Sequence, residues 1–251
     1  MMKYIKGLLM AISMFTIIPN RKLKWDEDCV KHIMKSYPII GLIIGVIWYS
    51  VFRLLNWYGV SSILTAALTM ITPFILTGML HLDGFMDVCD ALLSRRDREQ
   101  KIRILKDPNT GAFSVIALVM LFFVQFASIY TLVERGSDMY ILILLPIISR
   151  GLMGYLLITK EVLPESSLGS YFKKDTGKAD RVLLILSIII ATGILTYLMS
   201  YRGIVISLLS LFIAYLSSNN SCKELGGMSG DTAGYGLVIA EVTGLLVAAI
   251  L

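Results

Sequence analysis

The stretch AFSVIALVMLFFVQFASIYTLV, residues 112–133, carries no charged side chain from end to end. A helix rises about 1.5 Å per residue, so a run of this length crosses the roughly 30 Å hydrocarbon core of a bilayer. Comparable apolar runs lie at 37–57, 61–80, 139–158, 182–201, 203–218 and 233–251. Composition agrees with that pattern, because the chain is 56% hydrophobic and only 16% charged. Its mean hydropathy of +0.75 lies outside the range of soluble globular domains. The expected fold class is all-α, a polytopic integral membrane protein of about seven transmembrane helices. A single membrane-embedded catalytic domain is expected over residues 1–251. The stretch Tyr4 to Ile18 is apolar but ends at Pro19, short of a comfortable span. An N-terminal interfacial or re-entrant helix is the preferred reading there, and a crossing segment is the alternative.

Lysine and arginine set the expected orientation. The connections 19–36, 81–111, 159–181 and 219–232 hold 5, 6, 5 and 1 basic residues, whereas the alternate connections hold only Arg135 and Arg202. Short connections rich in Lys and Arg stay in the cytoplasm, so the long connections are expected to face inward. The net charge of +5, concentrated on that face, suits anionic lipids and phosphorylated substrates rather than nucleic acid. Cys29, Cys89 and Cys222 all fall on the expected cytoplasmic side, where disulfides are disfavoured, and no CxxC pair suggests zinc. Cys89 reads as a packing residue.

The chemistry concentrates between the second and third spans. There His81-Leu82-Asp83-Gly84-Phe85-Met86-Asp87-Val88-Cys89-Asp90 spaces its carboxylates at i, i+4 and i+7. On a helix those three side chains point within about 60° of one another, and Asp97 falls on the same stripe. Residues 81–111 read as a helix that continues the second span, followed by the breaker cluster Lys106-Asp107-Pro108-Asn109-Thr110-Gly111. A like-charge i,i+4 pair costs roughly 0.2–0.5 kcal/mol on an exposed helix, and more in a lower dielectric. A positive partner is therefore expected, and Mg²⁺ takes one or two carboxylates with water and phosphate oxygens. The stripe reads as a metal and diphosphate site; the alternative is a solvated acidic face answered by Arg95, Arg96 and Arg98.

Other candidates surround it. Gly226-Gly227-Met228-Ser229-Gly230-Asp231-Thr232-Ala233-Gly234 leads into the last span, where backbone N–H groups of Gly227 and Gly230 could approach an anion. Asp231 fits an N-cap, a metal ligand or both. Arg150 falls in the middle of the fourth span, where a charge costs about 2.5–3.5 kcal/mol on insertion scales. Either its guanidinium binds substrate phosphate, or it pairs with Glu241, the only acid in the last span. His81 could act as a base, hold a phosphate, or sit at the interface. Residues 159–181, with Pro164, Gly169, Gly177, Lys173, Lys174 and Lys178, read as a flexible basic lid.

The run His81 to Asp90, with Arg98-Glu99, Ile104-Leu105-Lys106-Asp107 and Gly111, resembles the acidic core motif of the cobalamin synthases, the adenosylcobinamide-GDP ribazoletransferase family. Tyr37-Pro38-Ile39-Ile40-Gly41-Leu42-Ile43-Ile44-Gly45 resembles its first-span motif, Ser149-Arg150-Gly151 its mid-membrane arginine, and Gly226 to Gly234 its C-terminal loop. The similarity runs in order through nearly the whole chain. Met79 and Ala91 stand where the family usually has glycine, and Val238 where many members carry glutamate. The resemblance implies the last assembly step of cobalamin, joining adenosylcobinamide-GDP to alpha-ribazole or its 5'-phosphate with release of GMP. It implies Mg²⁺ held by Asp83, Asp87 and Asp90, with catalytic roles for Asp87, Asp107 and Asp231. His81, Arg98, Lys106, Arg150, Gly227 and Gly230 are the implied substrate-binding residues. The implied partners are the two small-molecule substrates and the lipid bilayer of the cytoplasmic (plasma or cell inner) membrane, with the active site facing the cytoplasm. Association with further copies or with other cobalamin-assembly enzymes is left open.

Two rival functions are weighed against this one. A CDP-alcohol phosphotransferase also uses aspartates and Mg²⁺, but it needs an Ala-Arg pair after Asp-Gly, and here Asp83-Gly84 is followed by Phe85-Met86-Asp87. A cation-coupled transporter usually places its charges near the midplane of repeated, broken helices, whereas these acids sit at the end of a span.

Overall fold

The computed structural model describes residues 2–19, 26–164, 166, 171–173 and 176–251. Among these the chain is helical and has no strand, with one isolated parallel bridge between Val162 and Met228. The helices are α1 (Met2–Phe15), α2 (Glu27–Val30), α3 (Ile33–Trp57), α4 (Ser62–Leu76), α5 (Leu80–Leu93), α6 (Arg98–Leu105), α7 (Ala112–Glu134), α8 (Ile141–Thr159), α9 (Lys178–Met199), α10 (Tyr201–Leu225) and α11 (Gly230–Ile250). Six of them (α3, α7, α8, α9, α10 and α11) are long and apolar enough to cross a membrane, and α4 with α5 makes a seventh if that bent pair is one span. The protein is a polytopic membrane protein. The basic lid expected over 159–181 includes Gly169 and Lys174, which lie outside the described residues.

Burial separates central helices from peripheral ones. The apolar window of α8 is 83% buried and that of α11 is 67%, against 17% for α9. Exposed apolar side chains on the outer helices, such as Phe123 on α7, Ile189 on α9 and Phe212 on α10, form the face that lipid covers. Small residues let the central helices approach. A Cβ on Gly41 or Gly45 of α3 would collide with the backbone of α8 at Pro146 and Ile143, a small-xxx-small contact that trades side-chain volume for backbone proximity. The Trp48 indole N–H donates to the Thr69 carbonyl at 2.6 Å, tying α3 to α4. The Ser210 hydroxyl donates to the Ala240 carbonyl at 2.7 Å, tying α10 to α11.

Arg150 and Glu241 join the two central helices. Their side chains are 1% and 8% exposed, with Nη1 and Oε1 2.6 Å apart, and the Ser149 hydroxyl donates to the same oxygen at 2.9 Å. The structure shows the ion-pair alternative for Arg150. A charge that cannot reach water takes the nearest opposite charge on the neighbouring helix.

The second span departs from the sequence expectation. Rather than continuing, the chain bends by 92° between α4 and α5. Gly78 and Met79 both adopt left-handed backbone, with φ of 59° and 64°. Two such residues in succession end α4 and turn the chain. Met79 adopts it without glycine's freedom, at a cost of about 1–2 kcal/mol. The α1 helix has 14 residues, about 21 Å at helical rise, too short to cross alone. It packs on the start of α3 through Tyr4–His32 and Phe15–Tyr37, whose ring centroids lie 4.1 and 4.7 Å apart. Beyond it the Ile17 N–H donates to the Leu76 carbonyl at 2.9 Å.

Removing one member of the α8–α11 pair strands the other. Arg150→Ala is expected to lower stability by about 3–5 kcal/mol, and Arg150→Met with Glu241→Leu to recover most of it, as measured by thermal unfolding in detergent. Unchanged stability in Arg150→Ala would contradict a structural role for the pair.

Candidate active site

Helix α5 lies at the basic end of the bundle with one face buried and one open. Leu82, Phe85 and Cys89 pack against Phe74, Leu121 and Val238, while Val88 and Ala91 meet Leu105, Leu163 and Leu225. Phe85 stacks on Tyr235 with centroids 5.8 Å apart. Each large apolar side chain so buried contributes roughly 1.5–3 kcal/mol, and together they fix the helix's rotation. That rotation leaves Asp83 exposed and Asp87 and Asp90 half-buried on the other face.

The fourth acid arrives from α11. A Cβ on Gly84 would stand 2.9 Å from Asp231 Cα and 3.0 Å from its carbonyl oxygen, and one on Gly234 would stand 3.1 Å from the His81 carbonyl oxygen. The two helices therefore meet backbone to backbone where each has a glycine. That crossing carries Asp231 alongside the stripe: Asp87 is desolvated and feels the charges of Asp83, Asp231 and Asp90, and Asp231 feels Asp83. Ser229, not Asp231, is the N-cap of α11. Its hydroxyl accepts from the Thr232 N–H at 3.2 Å, and its own N–H donates to the Thr232 hydroxyl at 2.7 Å. Asp231 instead occupies the first turn, where the helix dipole favours an anion.

Two expectations about the acids are corrected. Asp97 does not extend the stripe, because α5 ends at Leu93 and Arg95 turns the chain with φ of 55°. Asp97 caps α6 instead, accepting from the Gln100 N–H at 2.9 Å. Nor do Asp83, Asp87 and Asp90 form a ready-made set of three ligands: among the described residues no three His, Cys, Asp or Glu side chains converge closely enough for one ion. Asp90 is drawn aside, its carboxylate lying against Gly111, the residue that opens α7; a Cβ on Gly111 would overlap it. The donor chemistry still fits a hard cation. Among the described residues none of the four acids has an ion-pair partner, and Arg95, Arg96 and Arg98 do not answer them. Two carboxylates completed by water and phosphate oxygens are enough for Mg²⁺.

The remaining candidates are dispersed. His81 is 6% exposed, beside the rings of Phe15 and Tyr37 at 6.2 and 6.4 Å. Its Nε2 has no hydrogen-bond partner among the described residues. It lies inside the helix packing rather than at the interface. Lys106 and Asp107 are exposed in the connection after α6. The Asp107 carboxylate accepts from the Asn109 backbone N–H at 2.9 Å and its side-chain amide at 2.7 Å. Those bonds hold the Asp107 carboxyl below the usual carboxylate range, so it is an anion and acceptor at neutral pH. Gly230 opens α11. Gly227 admits another backbone rather than an open anion: a Cβ there would strike Val162 and Leu163, where the Leu163 N–H donates to the Met228 carbonyl and the Met228 N–H to the Glu161 carbonyl, at 2.9 and 2.8 Å.

Arg98 has turned away from the acids to a cavity of about 380 Å³ that it lines with Lys160, Lys223, Gly226 and Gly227. Lys160 and Lys223 were not apparent from the sequence because residues 219–225, read as a loop, form the last turns of α10. Only the continuation of that helix beyond its apolar segment could have brought them together.

Four facing anions without a cation predict frustration. In metal-free buffer Asp87→Asn is expected to raise the unfolding temperature, by relieving like-charge contacts worth roughly 0.2–0.5 kcal/mol each. Gly84→Ala is expected to lower stability by about 1–3 kcal/mol, by forcing α5 from α11. A loss of stability in Asp87→Asn would show the carboxylate to be structurally paired.

The family model described as "Cobalamin-5-phosphate synthase" matches residues 7–249. A Clostridium botulinum (strain Alaska E43 / Type E3) protein named adenosylcobinamide-GDP ribazoletransferase is 52% identical over 240 residues, covering 96% of this chain and 95% of its own length. A Clostridium perfringens (strain SM101 / Type A) protein of the same name is 49% identical over 249 residues, covering 99% of both. One from Lachnoclostridium phytofermentans is 28% identical over 242 residues, covering 96% of this chain and 92% of its own. No solved structure matches the chain significantly. With the match extending from α1 to the last turn of α11, the chain belongs to the cobalamin-5-phosphate synthase family.

Proposed function

We propose that this protein joins adenosylcobinamide-GDP to alpha-ribazole or its 5'-phosphate with release of GMP, in a Mg²⁺-dependent reaction at the cytoplasmic face of the plasma membrane. The observation that carries the reading is the uncompensated acid cluster at the α5–α11 crossing, in a chain whose relatives carry that activity in their names. Because GMP leaves whole, the acceptor hydroxyl oxygen attacks the phosphorus on the corrinoid side of the diphosphate. A new P–O bond forms there, the bond to the bridging oxygen breaks, GMP takes that oxygen, and the hydroxyl proton passes to solvent. Bound Mg²⁺ supplies neutralisation of the diphosphate oxygens and of the charge that gathers on the departing GMP.

The chain's own residues do the rest. Asp83 and Asp231 would hold the cation, and Asp90, set against Gly111, would add its field. Asp87 orients the acceptor hydroxyl; a strong base is unnecessary where the transition state is loose. Lys106 and Asp107, exposed in the connection that ends at Gly111 against Asp90, meet the substrate as it enters. Exposed apolar side chains at the ends of α5, Met79, Leu80 and Leu93, would support the corrinoid ring. The concentration of Lys and Arg in alternate connections of the sequence, the acid-bearing one among them, supports a cytoplasmic orientation. No observation favours the CDP-alcohol or transporter readings.

Purified protein in detergent, given adenosylcobinamide-GDP, alpha-ribazole and Mg²⁺, is expected to release GMP and a coloured corrinoid product. Chelation is expected to stop it, and Asp87→Asn to lower turnover by at least about a hundredfold, the loss of about 2.7 kcal/mol of transition-state stabilisation. Turnover by Asp87→Asn near the wild-type rate would overturn the assignment of the acids, and absence of GMP from the wild-type reaction would overturn the function.

A further inference from the structure

We propose that the cavity between α6, α8 and α10 is a phosphate-ester subsite, formed by Arg98, Lys160 and Lys223 and separate from the carboxylate cluster. The proposal rests on the transferase reading above and adds to it the place where a substrate phosphate is held directly by protein. The cavity, about 380 Å³, brings three cationic side chains together with Glu161 as the one acid in its lining. Like charges gather at a cost unless an anion joins them. Arg98 and Lys223 are exposed, and among the described residues neither forms an ion pair.

The cavity is built on rigid parts. Gly226 ends α10 with φ of 96°, and the Arg98 guanidinium lies so close that a Cβ on this glycine would overlap it. The Lys160 ammonium donates to Asn219 Oδ1 at 2.5 Å and sits 5.5 Å from the centre of the Tyr215 ring. It is aimed before any ligand arrives. The start of α6 is held to α10 by the ion pair of Lys101 and Glu224.

Cations also gather at helix C-termini simply to answer the backbone dipole. Here other groups already reach both helix ends. The Lys173 ammonium donates to the Lys160 carbonyl at 2.8 Å, at the end of α8, and the Gly226 N–H donates to the Cys222 carbonyl at 2.8 Å, at the end of α10. The side chains of Lys223 and Arg98, with the remaining N–H donors of Lys160, suit a ligand with dispersed negative charge, since a guanidinium fork and ammonium groups match phosphate oxygens. Gly227, in the cavity wall, is four residues from Asp231, at most about 14 Å even along extended chain. One small nucleotide can therefore touch both the cavity and the acid cluster.

Two phosphates could occupy the subsite, the 5'-phosphate of a phosphorylated ribazole or the phosphate that leaves as GMP. Binding of alpha-ribazole, alpha-ribazole 5'-phosphate and GMP to the full-length protein in detergent, with Mg²⁺ present, separates them. In Lys223→Gln and Lys160→Ala the dissociation constant of the occupant is expected to rise about tenfold or more, with that of unphosphorylated alpha-ribazole unchanged and Lys160→Arg recovering much of the loss. A rise for alpha-ribazole 5'-phosphate alone assigns the subsite to the acceptor, and a rise for GMP alone to the donor. Lys223 is exposed, so its variant folds even if that at Lys160 does not. Unchanged affinity for both phosphorylated ligands in Lys223→Gln and Arg98→Gln would overturn the subsite. If the wild-type protein still turned over alpha-ribazole in that case, the proposed function would stand without it.

Discussion

The backbone contact between Gly84 of α5 and Asp231 of α11 is the constraint on which the site depends. Any larger residue at 84 separates the helices, and with them the acid of the last helix from the acids of the short one. The contact is reached from two directions. The left-handed pair Gly78 and Met79 turns the chain across the end of the bundle, so that α5 can lay a whole face on α7, α10 and α11. The buried pair of Arg150 and Glu241 holds α11 against α8, fixing the surface on which α5 is laid. A pair of this kind adds little net stability relative to apolar packing, yet it disfavours any sliding that would strand either charge.

Charge is segregated at this end of the protein. Asp83, Asp87, Asp90 and Asp231 face one another without cationic partners among the described residues, while Arg98, Lys160 and Lys223 line a cavity reached through the same glycine-rich connection. Had stability alone shaped the surface, Arg95, Arg96 and Arg98 would pair with the aspartates a turn or two away. Instead Arg98 rests on Gly226. The arrangement suits a substrate that brings both a phosphate for the cations and, through a metal ion, a diphosphate for the acids.

Much of the fold was legible because a bilayer leaves few choices: apolar runs of sufficient length become helices, and the residues 112–133 and 139–158 do so within a residue or two at each end. The acid stripe was legible too, since i, i+4 spacing means the same thing in any helix. What escaped was set by contacts between distant segments. Hydropathy could not distinguish a straight second span from one bent at Met79, because Gly78 and Met79 alter backbone direction without altering polarity. It ended the sixth span at residue 218, although α10 continues to Leu225 through polar residues that pack at the mouth of the cavity. Arg150 was recognised as needing a partner, but phosphate and Glu241 are equally anionic, and only the packing of α8 on α11 decides between them. Asp90 lies on the expected face, and its turn toward Gly111 depends on where α7 begins.

The central claim is that the α5–α11 crossing gathers carboxylates in order to hold a divalent cation. Titrating the purified, metal-free protein with Mn²⁺ and counting free ion by electron paramagnetic resonance tests it without requiring turnover. The account predicts saturable binding that Mg²⁺ displaces, weakened about tenfold or more by Asp83→Asn or Asp231→Asn, since either removes a ligating oxygen. Binding that is absent from the wild-type protein, with or without a bound nucleoside diphosphate, or that survives both substitutions unchanged, would contradict it.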